Sequence, residues 1–266
     1  MTVTAAVVLD TADADAKALA ARAMRTRVLE GGDVSEPRTA LHPARPATPV
    51  LVAARDVPKR GLGSDAGRAA LLHAIAHIEL NAIDLSADMI ARFSGAPELS
   101  SHRAAFVADW SKVCDDEARH FAMLQERLGE LGHRYGDFPA HDGLWEAAVD
   151  TAHDIAPRLA IAPLVLEARG LDVTPGMIAR LDSVGDRRSA DVLRVIYAEE
   201  VAHVEAGIRW FRHVAKARNR APEAYFQSLV RAHFKGRLKP PFNVEARDLA
   251  DFPRNYYQPL AEAAAV

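Results

Sequence analysis

This sequence predicts an all-α fold, a four-helix bundle with a long crossover, on three observations. Alternating apolar and polar runs of the kind that build strands are nearly absent, while Ala, Leu, Arg and Glu abound. Four long segments carry apolar residues at three- and four-residue steps. Hydrophobic residues make up 49% of the 266, which is enough for a sizeable core.

In chain order, residues 13–28 read as an amphipathic helix of strong helix formers. From Gly31 to Gly63 the periodicity collapses, and Pro37, Pro43, Pro46, Pro49 and Pro58 suggest an extended arm over the body. The first bundle helix runs from about Ser64 to Phe93 and stops at the Ser-Gly-Ala-Pro of 94–97. Ser100 or Ser101 can cap the second, which ends near Leu131 with Gly132 as its stop. The link from Leu131 to Leu144 is the expected crossover. A third helix lies between Leu144 and Gly170, disturbed by Pro157 and Pro163. The fourth spans about Arg187 to Arg218, and a shorter helix covers 222–234. The tail that follows, with its prolines and aromatics, suits a segment packed along the surface. The organisation expected is an N-terminal helix and arm (1–63), a bundle (64–220) and a C-terminal helix and tail packed on it (221–266).

Composition excludes several function classes. Lys and Arg total 33 against 36 for Asp and Glu, so a general nucleic-acid or membrane-surface binder is not expected. Cys114 is the single cysteine, which rules out an internal disulfide and a thiolate zinc site and suits a reducing cytoplasm. The N-terminal stretch lacks a basic residue before its apolar run, unlike a secretory signal. Leu159–Leu166, interrupted by Pro163, is far too short to span a bilayer.

Function is read from carboxylates that stand where apolar residues belong. On the first bundle helix Ile75, Ala76, Glu79, Ala82, Ile83, Ser86 and Ile90 form one stripe. The second gives Phe106, Trp110, Val113, Cys114, Glu117, His120, Phe121 and Leu124, and the fourth Leu193, Ile196, Tyr197, Glu200, His203, Val204 and Gly207. A buried carboxylate is expensive unless it is paired or metal-bound. Two stripes carry Glu-x-x-His, Glu117 with His120 and Glu200 with His203, and the three-residue step sets both side chains on one face. Such pairs, with carboxylates from two further helices, can hold two metal ions. Oxygen and imidazole donors without thiolate suit iron, with manganese possible. Glu199 is the rival to Glu200, but its face is more polar.

Helix heights agree with this reading. Pro97 lies 18 residues after Glu79 and 20 before Glu117, so both sit roughly 27–30 Å from the turn at 1.5 Å per residue. Glu167 and Glu200 match about a turn near Asp182–Gly185 only if 175–183 resume the third helix after a break at Leu171–Thr174. An interrupted third helix, broken just after its ligand, is therefore expected.

The order Glu79, Glu117 with His120, Glu167, Glu200 with His203 resembles the ferritin-like di-iron carboxylate superfamily. The strings HAIAHIELNAIDL (73–85), DDEARHFAMLQERL (115–128), LEARGLDVTP (166–175), AEEVAHVEAGIRWF (198–211) and HFKGRLKPPFN (233–243) are similar to the DUF455 family. The tRNA hydroxylase MiaE is a distant cousin by the same superfamily resemblance. That resemblance implies the ferritin-like bundle and a metal site, and it supplies no substrate.

Other residues take roles around the six ligands. His73, His77, Asp84 and Asp88 form a second stripe on the first bundle helix, a hydrated or inter-helix polar seam from which His77 is expected to hydrogen-bond a ligand. Asp116 is placed to do so for His203. Tyr197, one turn before Glu200, is the candidate catalytic residue, lining the cavity or donating to a bound oxygen. Arg169, Lys235 and Arg237 are candidates for contact with an anionic substrate. The activity these residues suggest is an O2-dependent di-iron oxidoreductase acting on a small organic substrate, fed by an external electron donor. Alternatives are a ferritin-like ferroxidase or iron-binding protein and a manganese catalase-like peroxide disproportionation. The terminal extensions suit a substrate pocket or a homodimer interface, and a tRNA substrate stays open.

Overall fold

The computed structural model describes residues 3–58 and 61–262, and among these the chain is all-α apart from one isolated bridge between Leu51 and Ala140. Two short N-terminal helices come first, α1 (Ala5–Asp10) and α2 (Ala14–Leu29), capped by the side chains of Thr4 and Asp13. Four long helical stretches then build the body: α3 (Asp65–Phe93), α4 (Arg103–Glu130), a composite third stretch, and α8 (Arg187–Ala217). Ser64 caps α3 through the amide of Gly67, and Asp186 caps α8 through that of Ser189. The link after α4 holds α5 (Gly143–Asp150). No helix of the described residues is long and apolar enough to cross a membrane.

The third stretch is interrupted, though not where the spacing places the break. It begins as α6 (Ile155–Ile161), widens into a π turn over Ala162–Glu167, and continues as α7 (Ala168–Ser183). Pro157 sits in the first turn of α6, where its missing donor is harmless. Pro163 cannot donate to the carbonyl one turn back, and the ladder re-forms with the Ala168 amide on the Pro163 carbonyl, a five-residue step. Glu167 ends this π turn. The predicted break at Leu171–Thr174 does not occur, because Pro175 lies inside continuous α7. Pro175 has no N–H for the Leu171 carbonyl, and the side-chain Nδ2 of Asn243 donates to that oxygen instead at 3.1 Å.

The chain ends in α9 (Pro222–His233), α10 (Val244–Leu249) and α11 (Arg254–Glu262). This tail goes deeper than a surface strap, since Phe252, Tyr256 and Tyr257 are buried. Among the described residues one hydrophobic core runs from Ala5 to Leu260. At the other end α1 packs on α3 and α2 on α4. The predicted polar seam on α3 is fully buried rather than hydrated. Lys17 from α2 and Arg45 from the arm pair with Asp84, and Arg92 and Arg158 pair with Asp88.

Candidate metal centre

Glu79 of α3, Glu117 and His120 of α4 and Glu200 of α8 each bring one donor atom within 4.8 Å of the others, and the cluster could hold a metal ion. Glu79, Glu117 and His120 are buried, and Glu200 is 13% exposed. His203 joins them: its Nδ1 lies 3.0 Å from Glu117 Oε1 and 3.6 Å from Glu200 Oε1. His120 Nδ1 lies 3.0 Å from Glu79 Oε2 and 3.5 Å from Glu117 Oε2. Both imidazoles thus turn Nδ1 inward. Glu167, from the end of the π turn, lines the same cavity as Glu79, Glu117 and Glu200.

The donor set passes a test of fit. Among the described residues Glu117 Oε2, Glu167 Oε2 and His203 Nδ1 are buried without a hydrogen-bond partner. Orphan polar atoms grouped in a core are a cost that a cation removes. Protonation tells the same story. Burial, reinforced by Glu117, pushes the Glu79 carboxyl well up, and burial with Glu117 and Glu200 pushes Glu167 up to about 8. Burial opposes charge on both histidines, yet bonds to Glu117 and Glu79 raise His120 to about 11, and Glu200 and Glu117 raise His203 well above its usual range. Burial also works against the Glu117 anion, but the imidazoles of His203 and His120 beside it hold it well below the usual carboxylate range. Without a cation, protons neutralise the cluster.

The outer nitrogens are held symmetrically. His120 Nε2 donates to Glu199 Oε2 at 2.7 Å, and His203 Nε2 to Asp116 Oδ2 at 3.2 Å. Arg119 binds both of these carboxylates. A carboxylate behind each imidazole fixes its orientation and leaves Nδ1 for a ligand. Sequence reasoning treated Glu199 only as a rival ligand and did not single out Arg119. Each precedes a ligand by one position, about 100° around its helix, so an inward stripe passes over both. Their opposite charges at matched height on facing helices were the available signal.

Three of the residues singled out in the sequence lie away from the cluster. His77 touches no ligand: Tyr135 Oη lies 2.7 Å from its Nδ1 and the His141 carbonyl 3.2 Å from its Nε2, and burial lowers its pKa to about 4. Tyr197 does not line the cavity, because its hydroxyl accepts from Asn243 Nδ2 at 2.8 Å. Lys235 turns out to Asp150 at 2.6 Å and is 84% exposed. Arg169 does line the cavity, and Arg237 lines the groove beside it.

That cavity has a volume of about 240 Å³ and lies over the donor cluster between α3, α7 and α8. Ile75, Ile78, Leu166, Val173, Met177 and Ile196 form its walls, and the carboxylates its floor. Ile78, on its wall, is 43% exposed, which opens that side to solvent.

Comparison with known proteins places the chain in a family. Residues 10–258 match the family described as Protein of unknown function (DUF455). An uncharacterized protein of Haemophilus influenzae is 43% identical over 213 residues, covering 80% of this chain and 74% of that protein. No solved structure matches. A match over almost the entire length, together with a relative of that identity, shows that this chain belongs to the DUF455 family.

Proposed function

We propose that the chain is a ferritin-like di-iron oxidoreductase that uses O2 to hydroxylate or oxidise a small organic substrate. The observation that carries this reading is the union of donors and cavity: Glu79, Glu117, Glu167 and Glu200 form the polar floor of a chamber whose walls are apolar except at Arg169 and Thr174. A site that only stores or oxidises iron has no use for an apolar chamber above its donors. Two Glu-x-x-His pairs with two further glutamates supply six side chains, enough for two ions that share carboxylates. Oxygen and imidazole donors favour iron, then manganese. When bound, such ions supply the redox chemistry on O2.

The chain's own residues do the rest. His120 and His203 would ligate through Nδ1, their rings fixed from behind by Glu199 and Asp116. Glu79 and Glu167 would give up protons on ligation. The apolar walls hold the body of an organic substrate above the donors. An external donor would supply electrons.

Metal analysis of the purified protein, followed by anaerobic reduction and exposure to air, tests the reading. About two irons per chain and a near-ultraviolet band on oxidation are the expected result. Manganese with rapid peroxide consumption would move the site to peroxide disproportionation, and iron uptake far beyond that stoichiometry to iron handling. Folded protein that takes up no metal after iron reconstitution would remove the proposal.

A further inference from the structure

Two hollows meet at Arg169. The cavity over the donor cluster and a neighbouring groove of about 290 Å³ both count Leu166 and Arg169 among their walls. Their chemistry is opposite. Carboxylates floor the first, and its other walls are apolar save for Arg169 and Thr174. The second gathers Arg169, Arg237, Lys239 and Arg247 around one acid, Asp172, four cations less one anion. Asp172 is engaged by Arg247 at 2.8 and 2.9 Å and by Arg169 at 3.3 Å. Arg247 is 2% exposed, and its Nη1 has no hydrogen-bond partner among the described residues. Arg169 also donates to the Lys239 carbonyl at 2.8 Å, so its guanidinium already reaches the groove.

We propose that the substrate is an amphipathic oxyanion whose apolar body lies in the cavity and whose carboxylate or phosphate lies past Arg169 in the basic groove. This rests on the reading of the donor cluster as a reaction centre. Charge decides the orientation. An anion against the apolar walls of the cavity would be desolvated without a partner, whereas at Arg169 it meets guanidinium groups that bind oxyanions well. Size sets the apolar part: 240 Å³ holds roughly eight non-hydrogen groups at ~30 Å³ each. Gly170 leaves a gap at this junction, since a Cβ there would meet no atom within 4 Å.

Calorimetric titration of the full chain with octanoate, octyl phosphate and uncharged octan-1-ol tests the proposal, with metal content measured on the same samples. At least one oxyanion should bind ten-fold or more tightly than the alcohol. R169Q should remove that advantage and leave octan-1-ol binding unchanged, which shows the cavity is intact. Gly170→Leu, which fills the gap with a good helix former, should weaken all three ligands ten-fold without changing metal content. Equal binding of alcohol and oxyanions, or full affinity in Gly170→Leu, would overturn the assignment. Metal-loaded protein that binds none of the three would also overturn it while leaving the di-metal reading in place, and absence of metal would instead count against that reading.

Discussion

Arg119 grips Glu199 with both terminal nitrogens, Nη1 to Oε1 at 3.0 Å and Nη2 to Oε2 at 2.8 Å, and reaches Asp116 Oδ1 at 2.8 Å with the same Nη2. One guanidinium thereby holds the two carboxylates that orient His120 and His203. Those imidazoles come from different helices, so Arg119 ties the orientation of one metal ligand on α4 to that of another on α8. The hydrogen bonds it donates to Glu199 raise the Arg119 pKa further, so its guanidinium stays charged at every working pH.

R119L should therefore weaken metal binding by about 10–100-fold, the usual effect of removing an outer partner of a ligating histidine. Stability should change by only about 1 kcal/mol, because Arg119 and Glu199 are 35% and 32% exposed and water can replace the pair. R119K, which keeps the charge but loses the planar fork, should fall between. Chelator competition gives the affinity and urea denaturation the stability. Unchanged affinity in R119L would show that the histidines hold their orientation unaided.

The second prediction concerns the buried pair of Lys17 and Asp84, both 0% exposed at the side chain. Lys17→Met leaves Asp84 with Arg45 alone, 3.1 Å away and 22% exposed. Removing one partner of a buried pair typically costs about 3–5 kcal/mol, and the shared contact with Arg45 puts this case near the low end. The double variant Lys17→Met with Asp84→Leu should recover most of the loss, because no uncompensated charge is left inside. Urea midpoints of the two variants decide it. A Lys17→Met loss below about 1 kcal/mol would show that Arg45 suffices.

Packing supplies the third. A Cβ at Gly207 would lie 2.5 Å from Pro163 Cβ and 2.8 Å from its Cγ, so glycine is what lets α8 press against the π turn that ends at Glu167. Gly207→Ala should destabilise by about 1–3 kcal/mol despite alanine's better helix propensity. Gly170→Ala is the matched control, since nothing lies within 4 Å of its added Cβ, and it should stabilise by up to about 1 kcal/mol. Equal effects of the two substitutions would remove the packing argument.

These three sites differ in how far the sequence announced them. The start of α3 and the end of α4 were readable because Ser64 and Gly132 act within one turn of the residues they start or stop, whereas neither Ser100 nor Ser101 caps α4, whose first turn follows His102 without a side-chain cap. Glu79, Glu117 and Glu200 were readable because a carboxylate inside an apolar stripe contradicts its surroundings. Long-range partners left no such mark. Continuous α7 depends on Asn243, far along the chain from Pro175, and the burial of Asp84 depends on Lys17. Helix α1 escaped because six residues are too few to show a period. Arg119 and Glu199 look like ordinary surface charges until α4 and α8 face each other.

Protons give the last prediction. With no cation present, Glu167 titrates near pH 8, His120 near 11, and Glu79 and His203 both lie well above their usual ranges. Near neutral pH Glu167 and His120 therefore carry protons, and the upward shifts of Glu79 and His203 favour their protonated forms too. Ligation requires neutral imidazole and ionised carboxylate, so each ligand that binds must lose its extra proton. The metal-free form thus holds more protons than the loaded form, and log K for metal rises with pH by one unit per pH unit for each proton released. Calorimetry at pH 7 in two buffers of different ionisation enthalpy should show net release, and chelator competition should show tighter binding at pH 8 than at pH 6. The E167Q variant should release one proton fewer, because an amide has none to lose. Proton-neutral uptake in both buffers would mean that the four groups enter the complex already deprotonated, and the charge-balance argument for the cluster would fail with it.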